Sequence, residues 1–315
     1  MITIFTHTKP FIGHFDIIQY NAIKSWRAIS DDVEIIIYGD AEGSDNMAEE
    51  VNAKRVKSVP KSENGMPLLT YLFDHTKIIA QHDLLCYVNA DIILPPNILN
   101  AINLIDRWSK KMIIGNRLDL DLRYKINYND YKWWQKLFDY AIIEGEWHKK
   151  GGIDYFIFPK KLWKDMPDIY LGLPGSDNWL IWNARCRHIP VIDISNIVYA
   201  IHQNHDYSHL GDIDDSGYRI GSAEKGMKNY LSGLETAHNR QLLPKGVSMN
   251  INDATYYLSE KGPIRKKEAA DIQRYLFSLI KIYPKTKFPI LIIYSLLSYY
   301  IKIKKYYNNR FVLNG

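Results

Sequence analysis

The first 40 residues of the chain have the pattern of a strand–helix–strand unit, which constrains the fold more than any other feature of the sequence. Ile2–Thr6 is an apolar run typical of a buried strand, and Val33–Tyr38 is a β-branched run that ends before Gly39. Between them, Phe15–Ile29 carries apolar side chains at helical spacing. A strand, a helix and a strand in this order form a βαβ unit, whose strands are parallel. The sequence therefore predicts an α/β fold with a mostly parallel sheet flanked by helices.

Strands and helices continue to alternate after residue 40. Further strands are predicted at Val56–Val59, Leu84–Asn89, Lys111–Gly115 and Ile153–Phe158, with one or two more within Val191–Ala200. Further helices are predicted at Leu68–Ala80, Leu99–Trp108 and Trp179–Arg185. The alternation gives way to an aromatic-rich stretch, Tyr124–Trp147, and the pattern is weak after residue 210. We therefore expect residues 1–210 to form the main domain and residues 211–262 to form a weakly patterned extension.

Charge divides the chain into an acidic body and a basic tail. Residues 261–315 contain 12 Lys and Arg but only two acids, Glu268 and Asp271, whereas the other residues contain 28 basic and 33 acidic side chains. Opposite charge in two parts of one chain suggests an anionic partner, either a membrane surface or a nucleic acid. We expect the tail, residues 263–315, to be helical.

The tail also contains an apolar stretch, Pro289–Ile301, of 13 residues. A helix that crosses a bilayer needs about 20 apolar residues, so this stretch is too short to span a membrane. Because Lys302, Lys304 and Lys305 follow it, the segment suits a helix lying in an anionic membrane interface. The alternative is a C-terminal helix that packs on the body and keeps its lysines in water.

Composition and missing motifs exclude several classes of protein. With 46% apolar and 24% charged residues, the chain is neither disordered, collagen-like nor a disulfide framework. The two cysteines, Cys86 and Cys186, match no metal or redox spacing. The sequence has no GxGxxG after the first strand, no GxxxxGK[ST] and no GxSxG. The sequence therefore lacks the main motifs of dinucleotide oxidoreductases, P-loop NTPases and α/β-hydrolases. The N-terminus enters a strand without a signal-peptide pattern, so we expect a cytoplasmic protein.

The strongest local signal is the pair Asn89 and Asp91 at the end of the strand predicted at Leu84–Asn89. In open α/β sheets, ligands bind beyond the carboxyl ends of the strands, and side chains two residues apart can face the same side. Amide and carboxylate oxygens suit a hard divalent cation such as Mg²⁺ or Mn²⁺. The alternative is that both residues only begin a turn before Pro95.

A histidine cluster follows the last predicted strand. His202, His205 and His209 lie within eight residues, with Asp206 among them. Their spacings of three and four could bring two imidazoles together on one helical turn. The same ligands would serve a zinc hydrolase, so that class of enzyme stays open.

Two further segments carry polar residues next to glycines. Asp177 follows Gly175-Ser176, where it is either a helix cap or a general base in a cleft. Asp154 follows Gly151-Gly152, where the glycines form either an ordinary turn or a close backbone approach to a ligand.

Taken in order, these segments resemble the GT-A family of nucleotide-sugar-dependent glycosyltransferases, particularly bacterial enzymes of surface polysaccharide synthesis. The matching segments, within about residues 1–210, are ITIFTH, IIIYGD, VNADIIL, GGIDYF, GSDNW and IHQNH. The resemblance implies a GT-A-like catalytic domain over residues 1–210. It also implies that the enzyme transfers a hexose-type sugar from a nucleotide-sugar donor to a saccharide acceptor, which in some members is linked to a lipid. The pathway implied is capsule or O-antigen synthesis.

The resemblance also implies roles for individual residues. The implied nucleotide-binding residues are Thr6, His7, Asp40, Asn89, Gly152 and Asp154. Asn89 and Asp91 stand where the family has its Asp-x-Asp pair, so Asp91 would hold Mn²⁺ or Mg²⁺ together with His202 or His205. Asn89 departs from the family's first Asp and lacks its negative charge, so the pair offers a metal one charge fewer. Asp177 falls where inverting members carry the base that deprotonates the acceptor.

We therefore expect an inverting glycosyltransferase, held by its tail on the inner face of the cell membrane. The first alternative is a metal-dependent hydrolase built on His202, His205, His209 and Asp206. The second is a nucleic-acid binder that uses the basic tail and its tyrosines. The second alternative leaves the polar clusters of the body without a role, so we expect no nucleic-acid partner.

Overall fold

A nine-stranded sheet forms the centre of the fold in the computed structural model, which describes residues 1–105, 108–148, 153–205, 212–213, 219–220, 238–244, 249–266 and 292–293. The strands are β1 (Thr3–His7), β2 (Glu34–Tyr38), β3 (Lys54–Val56), β4 (Leu84–Val88), β5 (Ile92–Ile93), β6 (Met112–Ile114), β7 (Arg117–Leu120), β8 (Glu146–Trp147), β9 (Tyr155–Pro159), β10 (Val191–Asp193), β11 (Ala200–Gln203), β12 (Asp212–Ile213), β13 (Arg219–Ile220), β14 (Tyr256–Ser259) and β15 (Gly262–Arg265). The helices are α1 (His14–Arg27), α2 (Ser44–Glu50), α3 (Leu69–Ile79), α4 (Ile98–Asn103), α5 (Trp133–Glu144), α6 (Ser176–Cys186) and α7 (His238–Gln241).

The central sheet has the spatial order β15-β14-β10-β6-β9-β4-β1-β2-β3. Seven of its strands run in one direction, while β9 is antiparallel to both of its neighbours and β15 is antiparallel to β14. The predicted α/β fold with a mostly parallel sheet flanked by helices is confirmed. The apolar pattern of Ile153–Phe158 predicted a strand there, but that pattern contains no information about strand direction.

Both faces of the sheet are covered, as the strand β2 demonstrates. Its residues alternate between two cores, because successive side chains of a strand point to opposite faces. Ile35 and Ile37 pack in the core that contains Trp26 of α1. Ile36 and Tyr38 pack in the core that contains α3. A strand buried on both faces needs a continuous apolar run, which is the pattern found in the sequence.

A smaller sheet with the order β5-β11-β7-β8 lies beside the central one. The strand β11 is antiparallel to β5 and parallel to β7. The apolar core of this smaller sheet contains residues of β7, β11 and α5: Leu118, Leu120, Ile201, Trp133, Leu137 and Ala141. The aromatic-rich stretch Tyr124–Trp147 therefore contains a helix that covers this second sheet.

Some boundaries differ from the prediction. The third strand is Lys54–Val56 instead of Val56–Val59, and the helix α4 ends at Asn103 instead of Trp108. Val191–Ala200 contains β10 and the first residue of β11.

The central sheet continues beyond residue 210, because β14 pairs in parallel with β10 and β15 pairs with β14. Part of the predicted extension thus joins the central sheet, whereas β12 and β13 pair with each other in a separate two-stranded sheet. The division at residues 210 and 262 stays a prediction. Most of the predicted tail, residues 267–291 and 294–315, lies outside the described residues. Within the part of the chain that the structure describes, no helix combines the length and apolar character needed to cross a membrane.

Candidate functional site

Three side chains with metal-ligating atoms meet at the carboxyl end of β4. Asp91 lies between β4 and β5, His202 lies on β11, and His205 follows β11 by two residues. The Oδ2 atom of Asp91 is 3.2 Å from Nε2 of His205 and 3.7 Å from Nε2 of His202. The ligating atoms of all three residues lie within 4.8 Å of one another, so they form a group that could hold a metal ion.

The carboxylate of Asp91 fits a cation in its hydrogen bonding and its charge. Its Oδ1 atom is buried and has no hydrogen-bond partner among the residues described. Burial by itself raises the pKa of Asp91, but the hydrogen bond with His205 and the charges of His202, His205 and Arg117 outweigh it. The pKa therefore lies below its ordinary value, and the carboxylate is anionic at neutral pH. A buried acceptor without a donor is costly, and a bound cation would remove that cost.

A polar network fixes the backbone of Asp91. The carbonyl oxygen of Asp91 accepts hydrogen bonds from the backbone N–H and from Nε2 of Gln203, both at 3.2 Å. Gln203 also donates to the carbonyl of Ile18 at 2.8 Å and accepts from Nδ2 of Asn21 at 2.9 Å. Both polar residues are buried, and the sequence analysis did not single them out.

The two histidines are close, but not for the reason that their spacing suggested. The spacing predicted one turn of helix, whereas His202 is the third residue of a strand and His205 follows that strand. Their ring centroids are 5.6 Å apart. His202 is 2% exposed, and the side chain of His205 is 5% exposed. His209 and Asp206, the other members of the predicted cluster, lie outside the described residues.

Charged residues of β7 contact the histidine ligand His202, a contact that was not predicted from the sequence. Asp119 Oδ1 lies 3.1 Å from Nδ1 of His202 and accepts a hydrogen bond from Nε of Arg117 at 2.9 Å. Its Oδ2 atom lies 2.5 Å from Nδ1 of His148. Arg117 and Asp119 alternate with Leu118 and Leu120, which is the pattern of a strand with one polar face. That alternation was the signal available in the sequence.

Asn89 lies beside the three ligands but contacts a carboxylate. Its Nδ2 donates to Oδ1 of Asp154 at 2.8 Å, and its backbone N–H donates to the carbonyl of Asp154 at 2.9 Å. Its Oδ1 accepts from the hydroxyl of Tyr87 at 3.0 Å. Oδ2 of Asp154 forms an ion pair with Arg117. Asn89 and Asp154 are therefore coupled to each other, and their predicted role in nucleotide binding stays a prediction.

Asp177 occupies the first turn of α6. The helix begins after Gly175, which has a left-handed conformation, and no side chain caps it, so capping does not explain Asp177. Burial raises the pKa of Asp177, the hydrogen bonds from Asn178 partly offset this effect, and the charge of Asp154 adds to it. Asp177 is therefore a buried acid with a raised pKa, and its role as the base stays a prediction.

The residues predicted for the nucleoside pocket lie at the carboxyl ends of β1 and β2. Thr6 is buried, and neither its Oγ1 nor Nε2 of His7 has a hydrogen-bond partner in the described part of the chain. Burial and the charges of Lys61 and Arg55 lower the pKa of His7 to about 4, although the charge of Asp40 opposes this shift. Asp40 itself is exposed and pairs with Lys61 at 3.4 Å. Gly152, another of the six predicted nucleotide-binding residues, lies outside the described residues.

Lys9 is a further cation near the site that the sequence analysis did not single out. Its Nζ lies 4.6 Å from the ring centroid of Phe15, and that ring lies 5.4 Å from the ring of His205. Desolvation lowers the pKa of Lys9 and the charge of Asp91 partly offsets this effect. The site therefore combines one anionic ligand, two imidazoles and a nearby ammonium group.

The donor set fits a divalent cation of the first transition row. Imidazole nitrogens together with a carboxylate oxygen bind Mn²⁺, Fe²⁺, Co²⁺ or Zn²⁺, whereas Mg²⁺ prefers oxygen ligands alone. Two imidazoles and one carboxylate leave further coordination positions open, which phosphate oxygens or water can fill. Asp91, His202 and His205 would hold such an ion.

The comparisons with known proteins give structural neighbours only, because no family model and no curated protein matches the chain. The chain is similar to S. aureus TarS 1–349 in complex with UDP-GlcNAc, with a TM-score of 0.45 and 13% identity over 78% of this chain and 70% of that chain. It is also similar to glucosyl-3-phosphoglycerate synthase from Mycobacterium tuberculosis in complex with Mn²⁺ and UDP-glucose. There the TM-score is 0.42 and the identity 12%, over 67% of this chain and 73% of that chain. Similarity at this level does not assign an activity.

Proposed function

We propose that this protein is a GT-A-like glycosyltransferase that moves a sugar from a nucleotide-sugar donor to a saccharide acceptor with the help of a divalent cation. The observation that carries the proposal is the convergence of Asp91, His202 and His205 at the carboxyl end of β4, with one carboxylate oxygen buried and unpartnered among the described residues. In α/β sheets, this edge is where nucleotides bind.

The charge of the site supports transfer from a diphosphate-linked donor. When the sugar leaves, negative charge develops on the diphosphate oxygen, and a cation fixed there stabilises the transition state more than the ground state. Bound at Asp91, His202 and His205, a divalent ion supplies that positive charge. Lys9 lies close enough to Asp91 for their charges to interact and would add to it.

A base is needed for the acceptor, because its hydroxyl loses a proton as it attacks. Asp177 is proposed for this step in an inverting reaction, since its raised pKa makes its carboxylate a stronger proton acceptor than an exposed aspartate. The negative charge of Asp154, which accepts a hydrogen bond from Asn89, adds to the raised pKa of Asp177 and so supports this assignment.

A metal-dependent hydrolase is the second candidate, and one observation favours it. Two histidines and one carboxylate are also the ligand set of zinc hydrolases, which leave the fourth position to water. The two candidates differ in what they need: a hydrolase binds zinc tightly and turns over without an acceptor, whereas a transferase requires a nucleotide-sugar.

Calorimetric titration with UDP, GDP and CMP, each with and without Mn²⁺, tests the proposal. We expect one nucleotide to bind in the presence of Mn²⁺, and binding to weaken sharply in Asp91→Ala. The matched control is Asp121→Ala, because Asp121 is an exposed aspartate paired with Arg123. No nucleotide binding by the wild type, together with tightly bound zinc in metal analysis, would favour the hydrolase instead.

Association with the inner membrane surface is a separate part of the proposal, supported by the basic, amphipathic pattern of residues 263–315. A lipid-linked saccharide would then be within reach of the enzyme. Flotation with anionic liposomes compares the full chain with a chain ending at Lys266, which keeps the strand β15. Equal flotation of both chains would contradict the proposal that the tail binds the membrane surface.

A further inference from the structure

Asp119 and His202 are direct neighbours in the ladder between β7 and β11. The two residues are partners in the strand register, and Oδ1 of Asp119 lies 3.1 Å from Nδ1 of His202. His202 is 2% exposed, so its ring cannot satisfy Nδ1 with bulk water. The opposite ring nitrogen, Nε2, is the atom that faces Asp91.

The surroundings of Asp119 define which atom donates and which accepts. Oδ1 also accepts the hydrogen bond from Nε of Arg117 at 2.9 Å, and a guanidinium group can only donate. Oδ2 is engaged by Nδ1 of His148 at 2.5 Å. A carboxylate held by Arg117 in this way can only accept, so at 3.1 Å a proton shared between Asp119 and His202 would belong to Nδ1 of the imidazole.

We infer that Asp119 is a positioning residue for the cation site: it holds His202 as the Nδ1–H tautomer and thereby directs the lone pair of Nε2 towards Asp91. Metal-bound histidines commonly donate their other ring N–H to a carboxylate, which orients the ring and raises its basicity. The inference rests on the proposed function, because it assigns Asp119 to the cation that the transferase would use.

The tautomer of His202 is measured directly by long-range ¹H–¹⁵N correlation NMR of ¹⁵N-histidine-labelled protein without metal, at neutral pH. The signal is assigned by its loss in His202→Gln. We expect Nδ1 of His202 to carry a proton in the wild type. A spectrum in which the proton lies on Nε2 alone would overturn the inference whatever any variant does.

Asp119→Asn tests the same point on metal affinity. An amide oxygen is a weaker acceptor for Nδ1–H than a carboxylate, so we expect Mn²⁺ affinity, followed by electron paramagnetic resonance, to fall about 10–100-fold. Asp121→Asn is the matched control, because Asp121 is an exposed aspartate that pairs with Arg123. It should keep the affinity of the wild type.

The outcomes separate this inference from the proposed function. Unchanged Mn²⁺ affinity in a folded Asp119→Asn variant contradicts the role of Asp119 alone. If the wild type binds no divalent cation, the proposed function loses its metal site. In that case the NMR spectrum still decides whether Asp119 places the proton of His202 on Nδ1. Near-ultraviolet circular dichroism establishes whether each variant is folded. If Asp119→Asn is unfolded, the NMR spectrum of the wild type alone decides the inference.

Discussion

Asn89 donates a hydrogen bond from Nδ2 to Oδ1 of Asp154 at 2.8 Å, across the end of the antiparallel pair formed by β4 and β9. The residue two positions before the carboxylate of Asp91 is thus neutral and bonded to a second carboxylate. Asparagine has an advantage here, because it supplies a donor where aspartate would supply a second negative charge.

Asn89→Asp should therefore destabilise the protein instead of improving its metal site. The change replaces a donor by a carboxylate that faces Asp154, and we expect a loss of about 1–3 kcal/mol in the free energy of unfolding at pH 7. The repulsion raises the pKa of the carboxyl pair in the folded state, so the loss should shrink as the pH falls and one carboxyl takes up a proton. Urea denaturation at pH 7 and pH 5 measures this. Asn129→Asp, at an exposed position, is the control, and an equal loss in both variants would contradict the prediction.

The choice of metal follows from the ligands. With two imidazoles and one carboxylate, the site should bind Mn²⁺ or Co²⁺ at least about tenfold more tightly than Mg²⁺. Competition between Mg²⁺ and Mn²⁺, followed through the paramagnetic signal of free Mn²⁺, gives the ratio. His202→Asp exchanges one imidazole for a carboxylate and should shift the preference towards Mg²⁺. Equal affinities for Mg²⁺ and Mn²⁺ in the wild type would mean that the imidazoles do not ligate.

Removal of the proposed base should affect catalysis rather than donor binding. If Asp177 accepts the proton of the acceptor hydroxyl, Asp177→Asn should lower kcat by about 10²–10⁴-fold and leave the donor affinity nearly unchanged. The wild-type rate should rise with pH through the raised pKa of Asp177, and this acidic limb should disappear in the variant. Asp45→Asn is the control, because Asp45 is an exposed acid in the first turn of α2. A normal kcat in Asp177→Asn would point to another base or to a retaining reaction.

His7 should make the stability of the fold dependent on pH. Its pKa is about 4 in the folded protein, against an ordinary value of 6.5 in the unfolded chain, so between these values the unfolded chain binds a proton that the folded chain does not. Stability is therefore lost as the pH falls from about 6.5 to 4, by about 1–3 kcal/mol from this residue. Denaturation midpoints of the wild type and His7→Gln across this range measure the effect. The slope should be flatter in His7→Gln and unchanged in His188→Gln, an exposed histidine.

The sequence predicted the parts of the fold that depend on local patterns. The apolar runs of Val33–Tyr38 and Leu84–Asn89 predicted strands because a strand buried on both faces requires continuous apolar residues. The direction of β9 was not predictable in this way, because antiparallel pairing of β9 with β4 and β6 depends on the path of the chain between them. The strands β14 and β15 were missed because they are short and lie in a segment rich in polar residues.

Prediction of the site succeeded where residues follow a strand and failed where contacts depend on register. Asp91 and the two histidines were chosen because each follows or ends an apolar run, and the structure brings them together. Asp119 became visible only through the pairing of β7 with β11, since it lies 83 residues before His202 along the chain. The hydrogen bond of Asn89 to Asp154 likewise joins segments 65 residues apart.

The register between β5 and β11 has one more consequence. Ile92, the residue after Asp91, is the cross-strand partner of His202, so backbone hydrogen bonds fix the separation of the two ligands. Side chains held by strands keep their geometry more accurately than side chains on loops, and His202 is such a residue. In the proposed transferase, selection could therefore change the surrounding loops, and with them the substrate, while the separation of His202 from Asp91 stays the same.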